Sequence, residues 1–85
     1  MLKELIIYIA KSLVDQPDEV EVEEISGERT VMYELKVSKK DIGKIIGKGG
    51  KTAKAIRTIV TASSMKIGKR AVLEILEPSE PSEPS

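Results

Sequence analysis

The chain has 85 residues, 40% of them hydrophobic and 33% charged, and its 14 basic side chains balance 14 acidic ones. That length supplies one modest core, with no room for a second domain or a large enzyme. The absence of cysteine excludes a disulfide framework and thiolate chemistry, and the absence of histidine removes the usual acid–base group and the commonest metal ligand, so the expected setting is cytoplasmic.

A helix comes first. Leu2, Leu5, Ile6, Ile9, Leu13 and Val14 recur at steps of three and four, and Ile7 and Ala10 widen the stripe, which predicts a helix buried over much of its girth until Pro17 stops it. Lys3, Glu4, Tyr8 and Lys11 interrupt the stretch, no small-residue cleavage pattern follows, and it is too short to cross a bilayer, so neither a leader nor a membrane span is expected. The breadth of the stripe suits a self-association surface as well as a core role.

Two strands follow, Glu19 to Ile25 and Thr30 to Val37, parted by Ser26-Gly27-Glu28-Arg29. Val31, Tyr33, Leu35 and Val37 alternate with Met32, Glu34 and Lys36, the period of a strand with one buried face. In the first strand Val20 and Val22 alternate with glutamates but Ile25 falls out of phase, which predicts a bulge or an early end near Glu23-Glu24.

Ser38 then offers an N-cap with Asp41 in the capping-box position, and Ile42, Ile45 and Ile46 supply the buried stripe of a short helix that Gly47 ends. The next helix runs from Gly50 or Lys51 to Ser64, with Ala53, Ile56, Ile59, Val60 and Ser63 expected inward. Gly68 marks a turn before a third strand, Arg70 to Leu76. Three copies of Glu-Pro-Ser from Glu77 to Ser85 offer nothing to bury and predict a disordered tail.

The zero net charge conceals a strong asymmetry. Residues 1–37 carry 4 basic and 9 acidic side chains, residues 38–70 carry 10 basic and 1 acidic, and residues 71–85 carry 4 acidic. The positive charge gathers around Gly47-Lys48-Gly49-Gly50, where glycines permit positive φ and the next helix N-terminus offers free N–H groups, so the loop suits an anion. Read singly, Gly47 is a helix C-cap, Lys44, Lys51 and Lys54 are solvated, and Ile42 and Ile56 are core; their coincidence within one segment favours a polyanion site.

Ile46-Gly47-Lys48-Gly49-Gly50 between two short helices, flanked by strands, resembles the GxxG core of a KH domain. The additional N-terminal helix and strand resemble the bacterial type II arrangement, an α+β fold of order α-β-β-α-(GxxG)-α-β with a three-stranded sheet packed on one side by three helices. The stretch from Ile42 to Arg57 is similar to the loop region of the KhpA family of small single-domain KH proteins, and the resemblance covers residues 1–76 and leaves out the tail at 77–85. One departure is Ala53, where many KH domains carry a large aliphatic side chain; Ile56 is the candidate to take over that packing.

The resemblance implies a site. Gly47 and Gly50 would shape the turn, Gly49 would allow close backbone approach, and Lys48 with the amides from Gly49 to Lys51 would hold phosphates, assisted by Lys44, Lys54 and Arg57. Bases of a short single strand would lie along an apolar groove of Ile45, Ile46 and the adjacent strand, about four nucleotides in all. It further implies single-stranded RNA and a KhpB-like RNA-binding protein as partners, an RNA-chaperone or post-transcriptional role, links to cell shape and cell-wall homeostasis, and no cofactor or metal. Two rival classes stand beside it. A nucleotide-phosphate loop is suggested by Gly50-Lys51-Thr52 but fails because Ile45 stands where that motif requires glycine, and no catalytic pair accompanies it. A KH-like module for homodimerisation or docking on another protein, with little RNA affinity of its own, stays open.

Overall fold

A computed structural model describes residues 1–76; the tail expected from residue 77 lies outside the described residues. Helix α1 (Leu2–Leu13) leads through a 3-10 turn at Pro17–Glu19 into the hairpin β1 (Glu21–Ser26) and β2 (Thr30–Lys36). After another 3-10 turn come α2 (Ile42–Ile46), the glycine loop, α3 (Lys51–Ala62), a one-turn α4 (Ser64–Ile67) and β3 (Arg70–Leu76). The sheet runs β1-β2-β3, antiparallel between the first two strands and parallel between the last two. Parallel strands need a long crossover, and α2, the loop and α3 are that crossover.

The period-two pattern sorts the sheet into two faces. Val22, Val31, Tyr33, Leu35, Ala71 and Leu73 turn inward and join Ile6, Ala10, Ile45, Ile56 and Val60 in one cluster. The outer face is acidic at its centre, because the register sets Glu23 opposite Glu34 and Glu34 opposite Glu74. β1 pairs without interruption from Glu21 to Ser26, so the expected bulge is absent. Ile25 instead lies beside Met32 on the outer face and stays about half exposed. Its phase error records a side chain on the other face rather than a break in the ladder.

α1 buries less of its girth than its sequence predicts. Leu2, Ile6 and Ala10 face the core, Ile7, Ile9 and Val14 lie at its margin, and Leu5, Tyr8 and Leu13 are exposed. A three-stranded sheet has one inner face to share between α1 and α3, so only one stripe of α1 meets apolar partners. On α3 the same limit leaves Ile59 exposed and Ser63 half-buried, where both were expected inward. α3 also ends sooner than Ser64. The Ser63 hydroxyl donates to the Ile59 carbonyl at 3.0 Å, a back-bond that bends the helix. The Ser64 hydroxyl then accepts the Ala71 N–H at 2.8 Å, tying the bend to β3.

Asp41 carries the largest correction. Rather than completing a capping box with Ser38, it is 1% exposed and accepts hydrogen bonds from the backbone N–H groups of Asp15, at 3.2 Å, and Gln16, at 3.0 Å. Ser38 is left to accept the Lys40 N–H at 3.3 Å. Asp41 is the one buried charged side chain among the described residues, and it joins the chain just past α1 to the start of α2. Lys44 lies beside the joint in a solvent-exposed ion pair with Asp15 at 3.3 Å, a contact that adds little to its stability.

Two substitutions test this packing. Asp41→Ala orphans two N–H groups at a buried joint and should lower unfolding stability by about 3 kcal/mol in urea titrations, with Asp41→Asn, which keeps one acceptor, intermediate. Burial, followed by the charges of Glu24 and Glu4, raises the Tyr33 phenol above its ordinary value. Because the unfolded chain then loses that proton first, the stability Tyr33 contributes is intact below about pH 10 and is lost as pH climbs through the folded-state value. Tyr33→Phe should therefore lose less stability between pH 9 and 11 than the unaltered chain, as measured by paired urea titrations.

Candidate nucleic-acid interface

The loop is built by glycines in conformations that side chains resist. Gly47 ends α2 with its N–H on the Gly43 carbonyl at 2.8 Å, and its φ of 79° and ψ of 172° lie in a region that glycine occupies almost alone. A Cβ there would stand 2.2 Å from the Thr52 hydroxyl oxygen, 2.6 Å from the Thr52 Cβ and 2.9 Å from the Thr52 nitrogen. Gly50 is left-handed, at φ 76° and ψ 10°, and its N–H closes the turn onto the Gly47 carbonyl at 3.0 Å. Steric crowding therefore dictates glycine at 47, while backbone angle alone favours it at 49 and 50, whose Cβ positions look into open space.

α3 begins at once behind this turn, and no side chain caps it. Its first-turn N–H groups and the positive end of its dipole open onto the same surface as the loop. Lys48, Lys51 and Lys54 are exposed there, and Arg57, one turn further along, sends Nε to the Leu73 carbonyl on β3 at 3.5 Å. Among the described residues none of these four cations enters an ion pair with an acid. Four unneutralised cations, a glycine backbone and an uncapped helix end within one segment make a surface for successive phosphates of a chain.

The structure divides the expected site residues into two groups. Ile46, Gly47, Lys48, Gly49, Gly50, Lys51, Lys54 and Arg57 share the loop, its flanks and the outward side of α3. Ile45 is fully buried, so it belongs to the core and the exposed apolar margin of α2 falls to Ile46. Lys44 is turned aside by its ion pair with Asp15. Ala53 and Ile56 are both 3% exposed; Ile56 fills the core. Sequence reasoning missed Thr52, whose hydroxyl and backbone press against Gly47, and Asp41, which anchors α2. The signal for Asp41 was its standing as the only acid among residues 38–70. Among those described, no three acidic residues gather closely enough to hold a metal ion, and no helix is long and apolar enough to cross a membrane.

Two helices joined by a Gly-Lys-Gly-Gly turn, inside the crossover of a parallel strand pair and preceded by a helix and an antiparallel strand, define a KH domain of the type II arrangement. The chain belongs to the KhpA/KhpB family of these domains: the family model described as KhpA/KhpB, KH domain, matches residues 3–75. It is 55% identical over 73 residues to the RNA-binding protein KhpA of Clostridium acetobutylicum, covering 86% of this chain and 97% of that one. To the protein of the same name from Aquifex aeolicus it is 57% identical over 73 residues, 86% of this chain and 92% of that one. The corresponding figures for Chlamydia pneumoniae are 51%, 73 residues, 86% and 94%. No solved structure matches the chain.

The glycine geometry separates two substitutions that look alike on paper. Gly47→Ala should cost well over 2 kcal/mol in urea titrations, and adding Thr52→Ala should not restore it, because the Thr52 Cβ and backbone nitrogen still crowd the new methyl. Gly49→Ala bears only the positive φ, for about 1 kcal/mol.

Proposed function

We propose that this domain binds single-stranded RNA at the Gly47–Gly50 loop, with Lys48, Lys51, Lys54 and Arg57 holding successive phosphates and bases lying between α3 and β3. The observation that carries the reading is the set of four exposed cations, free of ion pairs among the described residues, around an uncapped α3 N-terminus. The relatives named RNA-binding protein KhpA support it. A KH turn clamps about four nucleotides, and the two tyrosines lie on α1 and in the core, so no aromatic platform adds base stacking. Affinity from one domain is then modest and weakly selective. The wider role that fits such a domain is an RNA chaperone or post-transcriptional regulator in the cytoplasm, working beside a KhpB-like RNA-binding partner and linked to cell shape and cell-wall homeostasis.

A second reading, homodimerisation or docking on another protein, is favoured by one observation: α1 leaves Leu5, Tyr8 and Leu13 exposed. It is compatible with the first, since these side chains and the glycine loop lie on different elements.

The test is a titration of the ¹⁵N-labelled protein with short single-stranded RNA at low salt. Amide shifts should centre on Lys48 to Arg57 and β3; shifts confined to α1 would sink the loop as the site. Four phosphate contacts on a single strand predict a log–log salt slope of about −3, and a flat response would remove the electrostatic basis. Lys48→Asp with Gly49→Asp should abolish binding and keep the fold, because both positions are exposed, the Gly49 Cβ meets nothing within 4 Å, and aspartate tolerates the left-handed angle.

A further inference from the structure

The cationic surface does not stop where a four-nucleotide clamp would. Three concavities meet at Thr61 on α3. One, of about 390 Å³, lies along the helix between Lys54, Arg57 and Thr58. The second, of about 200 Å³, lies between α3 and β3, bounded by Arg57, Arg70 and Leu73. The third, of about 540 Å³, opens beyond Thr61 against the β1–β2 hairpin, bounded by Arg29, Ser64, Lys69 and Arg70, with Glu28 as its one acid. Shared walls at Arg57, Thr61 and Arg70 make them adjoining parts of one shallow, open furrow.

The far end is held in place. The Arg70 N–H donates to the Arg29 carbonyl at 2.9 Å at the start of the parallel ladder, and the Lys69 ammonium donates to the Ser26 hydroxyl at 2.7 Å, so the backbone segments that carry these side chains are held together. Neither arginine enters an ion pair among the described residues, and neither lies in the last turn of α3 or α4, so helix carbonyls do not account for them. Arg29, Lys69 and Arg70 line the third concavity against Glu28 alone, so its cations exceed its acids by two, a local excess that favours an anionic ligand.

Resting on the RNA-binding reading above, we infer that the furrow carries the RNA strand past the glycine clamp to a second phosphate site at Arg29 and Arg70, with Lys69 beside them. The ten residues from Lys51 to Thr61 rise about 15 Å, and a stacked strand advancing about 3.4 Å per nucleotide crosses that in four or five. The second site therefore takes phosphates from about the fifth nucleotide onward, and the full footprint is about seven.

Fluorescence anisotropy with labelled oligouridylates and oligoadenylates of four and eight nucleotides tests this, using the full chain, its Arg29→Gln/Arg70→Gln variant, and Lys3→Gln/Lys11→Gln as a control that removes equal charge from α1. The eight-mer should lose about tenfold in affinity in the arginine variant while the four-mer stays within about twofold, and the control should change neither length selectively. The eight-mer's salt slope should also exceed the four-mer's by about 1.4, for two more phosphates on a single strand. With the unaltered chain, NMR should show Arg29 and Lys66 to Ala71 shifting with the eight-mer and not with the four-mer, which holds even if the variant folds poorly. An eight-to-four affinity ratio unchanged by the arginine variant, or no selective shifts at those amides, overturns the second site and leaves the clamp standing. If neither oligomer binds the unaltered chain, the clamp and its extension fall together.

Discussion

A buried carboxylate holds the domain's two halves in register. Asp41 sits on the turn before α2, and its oxygens accept the N–H groups of Asp15 and Gln16, some 25 residues earlier in the chain. Desolvating a charge is costly unless hydrogen-bond donors compensate it, and here each carboxylate oxygen accepts one backbone amide from the chain just past α1. The arrangement does more than satisfy polar groups. α2 is five residues long and could not hold its direction by internal hydrogen bonds, so the joint to α1, together with the wholly buried Ile45, aims it. The glycine loop comes next in the chain and inherits that aim.

The loop adds a second constraint of a different kind. Thr52 leaves no space for a side chain at position 47, so the turn is tight for steric reasons, whereas positions 49 and 50 are open and only their backbone angles call for glycine. A turn built this way brings backbone N–H groups to the surface without a methyl in front of them and delivers the chain into α3 within three residues. The charge follows the same division of labour. Acids crowd β1, the turn before it and the outer face of the sheet, where Glu23, Glu34 and Glu74 line up across three strands, and basic side chains without an acid among them occupy the glycine loop and α3. A polyanion meets one receptive side.

Much of this was legible in the chain itself. The alternation in β2, the glycine cluster and the segregated charge each obey a local rule, and the element order emerged from them without the one-turn α4 and with boundaries off by up to about three residues. What stayed hidden depended on partners distant in sequence. Ile45 and Ile46 are neighbours of the same residue type, and only the packing of α2 shows that one is core and the other partly exposed. Asp41 followed Ser38 at capping-box spacing, yet a buried long-range pair of amides outcompeted the local one. Leu5 and Ile59 read as inward because hydrophobicity was counted without knowing that three strands offer a single inner face of limited width, and Ile25 read as a break in its strand because a place on the outer face was not considered. Lys44 was indistinguishable from its neighbouring lysines until Asp15 was placed beside it.

The parallel pairing of β2 and β3 has a kinetic consequence. Thr30 meets Arg70 and Lys36 meets Leu76, so every rung of that ladder closes a loop of about 40 residues, and the whole glycine loop lies within that closure. Non-local closure of this sort is slow to nucleate and gains nothing until most of the crossover is in place. The proposed clamp therefore matures in the same step as the sheet: a chain still searching for its third strand has the glycines and lysines but not the turn that orders them. A ligand then encounters either a finished site or none, and by holding the finished one it slows the opening of the strand pair that encloses it.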